Sequence, residues 1–196
     1  MTARFLRPLG QRRYKRMFVI VAEGTVTEPE YFPLLSDNII VHVRCLKSRK
    51  NLPPKEALKL VLEHLRREGL RRNDEAWVVV DKDAWPDGHL AELHAWSQSH
   101  PNYGFALSNP KFEYWLLLHF EDADGVQTAG ECDQRLKKHL PGYDKHIEPQ
   151  HFPAENIHAA VARAKKRDNP RCEDWPRGPG TTVYRLVENI LQSGAR

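Results

Sequence analysis

No stretch of apolar residues in this 196-residue chain approaches the roughly 20 that a membrane-crossing helix needs, so nothing in it reads as a span. The basic N-terminus is not followed by the apolar core of a signal peptide, because MFVIVA is short and runs straight into an acid. A cytoplasmic protein is expected. Cysteine is scarce: Cys45, Cys132 and Cys172 are odd in number, far apart and form no CxxC pair. That argues against a disulfide scaffold and against a zinc site of ordinary spacing. Cys132 and His139 could share a metal; three reduced thiols is the plainer reading. No Walker loop and no GxGxxG motif supports a phosphoryl or nucleotidyl transferase. Internal repeats, low-complexity tracts and an interdomain linker are lacking too.

The composition that remains, 40% hydrophobic and 29% charged, is that of an ordinary globular chain. Its length suits one domain with a sizeable core. The net charge of +4 is unevenly placed. Residues 1–16 carry Arg4, Arg7, Arg12, Arg13, Lys15 and Arg16 with no acid, which leaves the remainder at −2. A basic arm at 1–16 suits phosphate backbones, though it could equally be a solvated tail. Residues 17–196 read as a single domain.

Apolar runs without alternation mark buried strands at 17–22, 39–46, 76–81 and 103–107. Between them lie helical patterns. Thr27-Glu28-Pro29-Glu30 has the form of a capped helix start, with Thr27 as cap and Glu30 three residues on. Pro53 and Pro54 open a helix over 54–68 that Gly69 ends, and a further helix covers 88–99. Ser108-Asn109-Pro110 reads as a turn or cap before the apolar helix PKFEYWLLLHF. Helices are expected at 128–139, 154–167 and 181–193, with a long loop at DNPRCEDWPRGPG. Strands separated by helices predict an α/β fold: a parallel sheet covered on both faces, with a helical C-terminal extension.

In such a sheet ligands bind outside the carboxyl ends of the strands. Glu23 directly follows the first strand, Asp81 ends the third and Asp83 lies two residues on. Clustered carboxylates repel one another without a cation, and hard oxygen ligands suit Mg²⁺ or Mn²⁺. The plainer alternative is that Asp81 and Asp83 cap the next segment and Glu23 is a turn acid. Gly24 is expected to allow a tight turn with positive φ. Lys82, between the two aspartates, should point away from them, toward a phosphate or simply offsetting charge.

Strand–Glu-Gly followed by strand–Asp-x-Asp within β-α-β-α-β-α-β resembles the Toprim domain of topoisomerases, primases and OLD-family nucleases. The fuller set VIVAEGTVTEPEYF (19–32), VVVDKD (78–83), LSNPKFEYWLLLHF (107–120) and TTVYRLVENI (181–190) resembles the RloB-like family. This resemblance implies a Toprim-like, Rossmann-like fold. It also implies that Glu23 is a metal ligand or general acid/base and that Asp81 and Asp83 bind the metal. By likeness to OLD-type nucleases, Glu28 supplies a further acid, and Ser108 with Glu113 supplies the element after the fourth strand. A two-metal site is then conceivable.

Each of these residues has a structural alternative: Glu28 as a first-turn acid, Ser108 as a helix N-cap, Glu113 as a surface residue or a partner of Lys111. His119 could touch the site or be a satisfied structural histidine. A cation at the scissile phosphate would come from Lys165, Lys166, Arg167 or Arg177. The activity implied is Mg²⁺- or Mn²⁺-dependent cleavage of DNA or RNA. The resemblance also implies a setting in restriction-associated or phage-defence loci beside an ATPase partner. The alternative is a non-catalytic subunit that binds nucleic acid or nucleotide.

Overall fold

Continuous apolar strands need cover on both sides, and the fold supplies it. A computed structural model describes residues 16–36, 40–49, 52–82 and 85–194. Residues 1–15 of the expected arm at 1–16, Asp83 and the start of the second predicted strand lie outside the described residues; Arg16, the arm's last residue, begins the first strand. In chain order the elements are β1 (Arg16–Ala22), α1 (Thr27–Tyr31), β2 (Val41–Cys45), α2 (Pro54–Glu68), β3 (Glu75–Asp81), α3 (Asp87–Gln98) and β4 (Tyr103–Asn109). They continue with α4 (Phe112–Leu117), α5 (Ala129–His139), α6 (Ala154–Arg167), β5 (Gly180–Thr181) and α7 (Val183–Gly194).

The sheet has the order β2-β1-β3-β4-β5. The first four strands are parallel, and β5 joins β4 antiparallel, with Ser108 opposite Thr181. Side chains alternate between two cores. Phe18, Ile20, Trp77, Val79 and Ala106 face α1, α4 and the C-terminal helices. Val21, Ala76, Val78, Val80 and Leu107 face α2 and α3. Both cores are fully shielded at their centres, with Phe18, Val78 and Trp115 at 0% exposure. Cutting Phe18 to alanine would cost about 3–5 kcal/mol.

From β1 the chain moves outward to β2, then crosses back over β1 to β3. The carboxyl ends of β1 and β3 therefore flank a topological switch point, where the connections leave to opposite faces and open a crevice.

Five local expectations need correction. Val26, not Thr27, precedes α1; Thr27 is helical and buried, and its hydroxyl donates to the Lys145 carbonyl at 2.8 Å. Glu30 makes no capping box; its carboxylate accepts from the Ile147 N–H at 2.8 Å instead. Ser108 and Asn109 belong to β4, and Lys111 precedes α4, so Ser108 does not cap that helix. The apolar helix is short: after Leu117 the chain continues in hydrogen-bonded turns through Phe120. The last predicted helix begins at Val183 because Gly180 and Thr181 are drawn into the sheet. No helix among the described residues is long and apolar enough to cross a membrane.

Candidate functional site

At the switch point the Glu23 backbone N–H still donates to the Val79 carbonyl at 3.0 Å, so the chain leaves β1 in register with β3. This holds the Glu23 side chain, 7% exposed, against the end of β3. Its Oε2 accepts the Asp81 backbone N–H at 3.1 Å, and the Trp85 indole N–H lies 3.3 Å from both oxygens. Asp81 ends β3 half-buried beside it.

Glu28, on α1, turns back over the Gly24 turn, where its Oε1 accepts the Gly24 N–H at 3.1 Å. Gly24 is needed for this close approach: a Cβ there would stand 2.2 Å from the Glu28 Oε2. The expected positive φ is not the reason, since among the described glycines only Gly69 and Gly125 adopt one. Burial pushes the Glu28 carboxyl above its ordinary pKa, and the charge of Glu113 adds to the rise.

Glu113, 2% exposed, sits in the first turn of α4. The Tyr143 hydroxyl donates to its Oε1 at 3.1 Å, and the Lys145 ammonium pairs with the same oxygen. Lys111 lies 3.8 Å from Oε2 and is bound more closely by Asp133 at 2.6 Å.

The side chains of Glu23, Glu28, Asp81 and Glu113 thus line one cavity of about 610 Å³, together with Lys111 and Lys145. Ser108 lies outside its lining: it is 1% exposed, and its hydroxyl hydrogen-bonds the Thr181 hydroxyl at 2.9 Å. Lys82 turns to the Trp85 carbonyl at 2.9 Å and to Asp87 at 3.0 Å, offsetting local charge.

His119 is structural. Buried at 2% exposure, it donates from Nδ1 to the Trp115 carbonyl at 3.0 Å, so Nε2 accepts from the Tyr31 hydroxyl at 3.0 Å. None of the four basic residues expected at a phosphate lines the acidic cavity. Lys165 pairs with Glu188 at 2.7 Å, Lys166 with Asp122 at 3.8 Å, Arg167 with Asp124 at 2.8 Å and Arg177 with Asp174 at 2.6 Å. Lys145 and Lys111 stand there instead. The first comes from an irregular connection after α5, held to α1 through Thr27 and Glu30, and no local sequence pattern marks it.

Cys132 is buried in the core, and His139 bonds Glu121 at 3.1 Å and stacks on Phe120. All three cysteines are free thiols. Their pKa values are pushed up mainly by burial, to about 12 for Cys45 and Cys132 and about 11 for Cys172.

The donor chemistry suits a hard divalent cation: oxygen ligands, more than one of them carboxylate, with Glu28 pushed above its ordinary pKa by burial and by the charge of Glu113. Among the described residues, however, no three His, Cys, Asp or Glu side chains stand close enough to hold a metal ion. Asp83, the second acid of the Asp-x-Asp pair, lies outside the described residues.

A family model with the description RloB-like protein matches residues 18–190. No curated protein and no solved structure matches the chain.

Proposed function

The chain belongs to the RloB-like protein family, and from that premise we propose that it is a divalent-metal-dependent nuclease of Toprim type, cleaving phosphodiester bonds in DNA or RNA. The observation that carries this reading is the convergence of Glu23, Glu28, Asp81 and Glu113 on one cavity at the β1–β3 switch point. Glu23, Asp81 and Asp83 would hold a Mg²⁺ or Mn²⁺ ion, and Glu28 with Glu113 would extend the site toward a second. A bound ion supplies charge stabilisation to the phosphoryl oxygens and lowers the pKa of an attacking water. The chain's own part is positional. The Asp81 and Trp85 N–H groups orient the Glu23 carboxylate, and the Gly24 N–H orients Glu28. Lys145 and Lys111 bring positive charge to the wall that a phosphate would face. The biological setting proposed is phage defence beside an ATPase partner.

A second reading rests on the ion pair between Lys145 and Glu113 and on the lack of a three-ligand set among the described residues. In that reading the module binds nucleic acid or nucleotide without turnover. Plasmid DNA and tRNA incubated with the purified protein and Mg²⁺ or Mn²⁺ separate the two. Cleavage that needs the metal and is lost in Asp81→Ala and in Asp83→Ala supports the nuclease. Cleavage that survives both substitutions overturns the site, and tight binding without turnover favours the second reading.

A further inference from the structure

A second cavity of about 600 Å³ lies along β4 away from the acids, between α3, α7 and the loop that follows α6. One wall is backbone. Ala76 and Lys82 of the β3 segment donate to the carbonyls of Asn102 and Ser108, so even-numbered residues of β4 turn their polar groups toward β3. Odd-numbered residues turn theirs the other way. Leu107 shows this: its N–H donates to the Thr182 hydroxyl at 2.9 Å, and its carbonyl accepts the Thr182 N–H at 2.9 Å.

Phe105 is two residues back on the same edge, beyond the reach of the two-residue β5. By this alternation its N–H and C=O turn away from β3, on the side where the residue lines the cavity, and among the described residues neither meets a hydrogen-bonding partner. The residue is 6% exposed. A backbone pair at such a site calls for a ligand or water.

The occupant is limited by its surroundings. Thr182 closes one end of the edge, so an extended peptide cannot run past Leu107 to pair along the strand. What fits is a short, planar group offering an acceptor and a donor side by side, as the edge of a nucleobase does. The Trp77 ring lies close over Gly104, where a Cβ would come within 2.3 Å of it, and adds an aromatic surface to the lining.

The remaining wall is ionic. Asp168 is held by Arg185 at 2.8 Å, Asp174 by Arg177 at 2.6 Å and Glu188 by Lys165 at 2.7 Å. Lys166 and Arg171 then outnumber Glu173, both exposed at the rim, and Lys166 has only a loose contact with Asp122 at 3.8 Å. Over the whole lining four cations meet four acids, so the place for an anion is local to Lys166 and Arg171. A volume of this size takes one small ligand rather than a strand.

We propose that this cavity binds a free mononucleotide, its base edge on the Phe105 backbone and its phosphate at Lys166 and Arg171. The site is separate from the acidic cavity and does not depend on the nuclease reading.

The test is calorimetric titration of the full chain with AMP, GMP, CMP and UMP, with EDTA present so that no divalent ion bridges nucleotide and acids. One base class is expected to bind with Kd below about 1 mM, and more tightly than inorganic phosphate or its own nucleoside. The Lys166→Glu/Arg171→Glu variant, altered only at exposed positions, should lose at least about tenfold in affinity at an unchanged melting temperature. Amide shifts on binding should centre on Phe105. The proposal is overturned if no nucleotide saturates by about 10 mM, if phosphate alone binds as well, if the charge reversal leaves affinity unchanged, or if the shifts centre on residues 23–28.

Discussion

The Asp81 backbone N–H donates to the Glu23 carboxylate at 3.1 Å, so the last residue of β3 holds the side chain that follows β1. The Trp85 indole lies 3.3 Å from both oxygens of the same carboxylate. Trp85 is therefore a built-in reporter. Mn²⁺ added to the protein should quench tryptophan fluorescence saturably, and Trp85→Phe should remove most of that quenching. If Asp81 is the ligand proposed, Asp81→Asn removes one anionic ligand and should shift the midpoint to higher Mn²⁺ by about tenfold or more. A Mn²⁺ response unchanged by Asp81→Asn would remove Asp81 from the proposed metal site.

Gly24→Ala should destabilise the fold by about 1–3 kcal/mol, because the new methyl group collides with the Glu28 carboxylate and displaces it from the Gly24 N–H. The three atoms nearest the new methyl group all belong to Glu28. In a Glu28→Ala background the same glycine substitution should cost much less, and urea unfolding of the four proteins in the cycle measures the difference. Equal costs in both backgrounds would place the strain elsewhere.

How far these contacts could be read from the sequence depends on how local they are. Helix α2 runs over the expected 54–68, because Pro54 suits the first turn and Gly69, at φ 67°, ends it. The parallel strands were legible as apolar runs, and with them the placing of Glu23 and Asp81 at strand ends. Two-residue β5 has no length from which a pattern could emerge; the Thr181 and Thr182 hydroxyls bind it to β4. Lys145 was invisible for a related reason. It reaches Glu113 across 32 positions of chain, through a segment with no hydrophobic period. The basic residues of α6 looked better placed, but their helix turns them toward Asp122, Asp124 and Glu188.

Stability should fall in mild acid through His119. Burial holds its pKa down, from 6.5 to about 4, with Arg163 adding to the effect. The unfolded chain thus takes up a proton near pH 6.5 that the folded chain refuses until about 4. The stabilisation is fully present above pH 6.5 and is lost as pH falls through that window, by about 3 kcal/mol at most. His119→Gln, which can still donate to the Trp115 carbonyl and accept from Tyr31, should flatten this part of the profile in urea unfolding between pH 8 and 4. A profile as steep in the variant as in the parent would assign the acid sensitivity to other groups.

Lys145 sets the charge of the acidic cavity and is the residue through which it can be tuned. Its ammonium pairs with Glu113, yet its side chain is 56% exposed, so its removal need not disturb the core. Lys145→Ala leaves Glu113 with the Tyr143 hydroxyl and the more distant Lys111. The cavity then carries one more uncompensated negative charge. A divalent ion entering it meets less repulsion, so Mn²⁺ should bind a few-fold more tightly in isothermal titration. A nucleic-acid strand meets more repulsion, so its affinity should fall and should vary less with salt concentration. The two changes have opposite signs, which separates a charge effect from simple damage to the site. If Mn²⁺ and nucleic acid both bind more weakly in Lys145→Ala, the lysine acts by holding the 143–147 segment in place rather than through its charge.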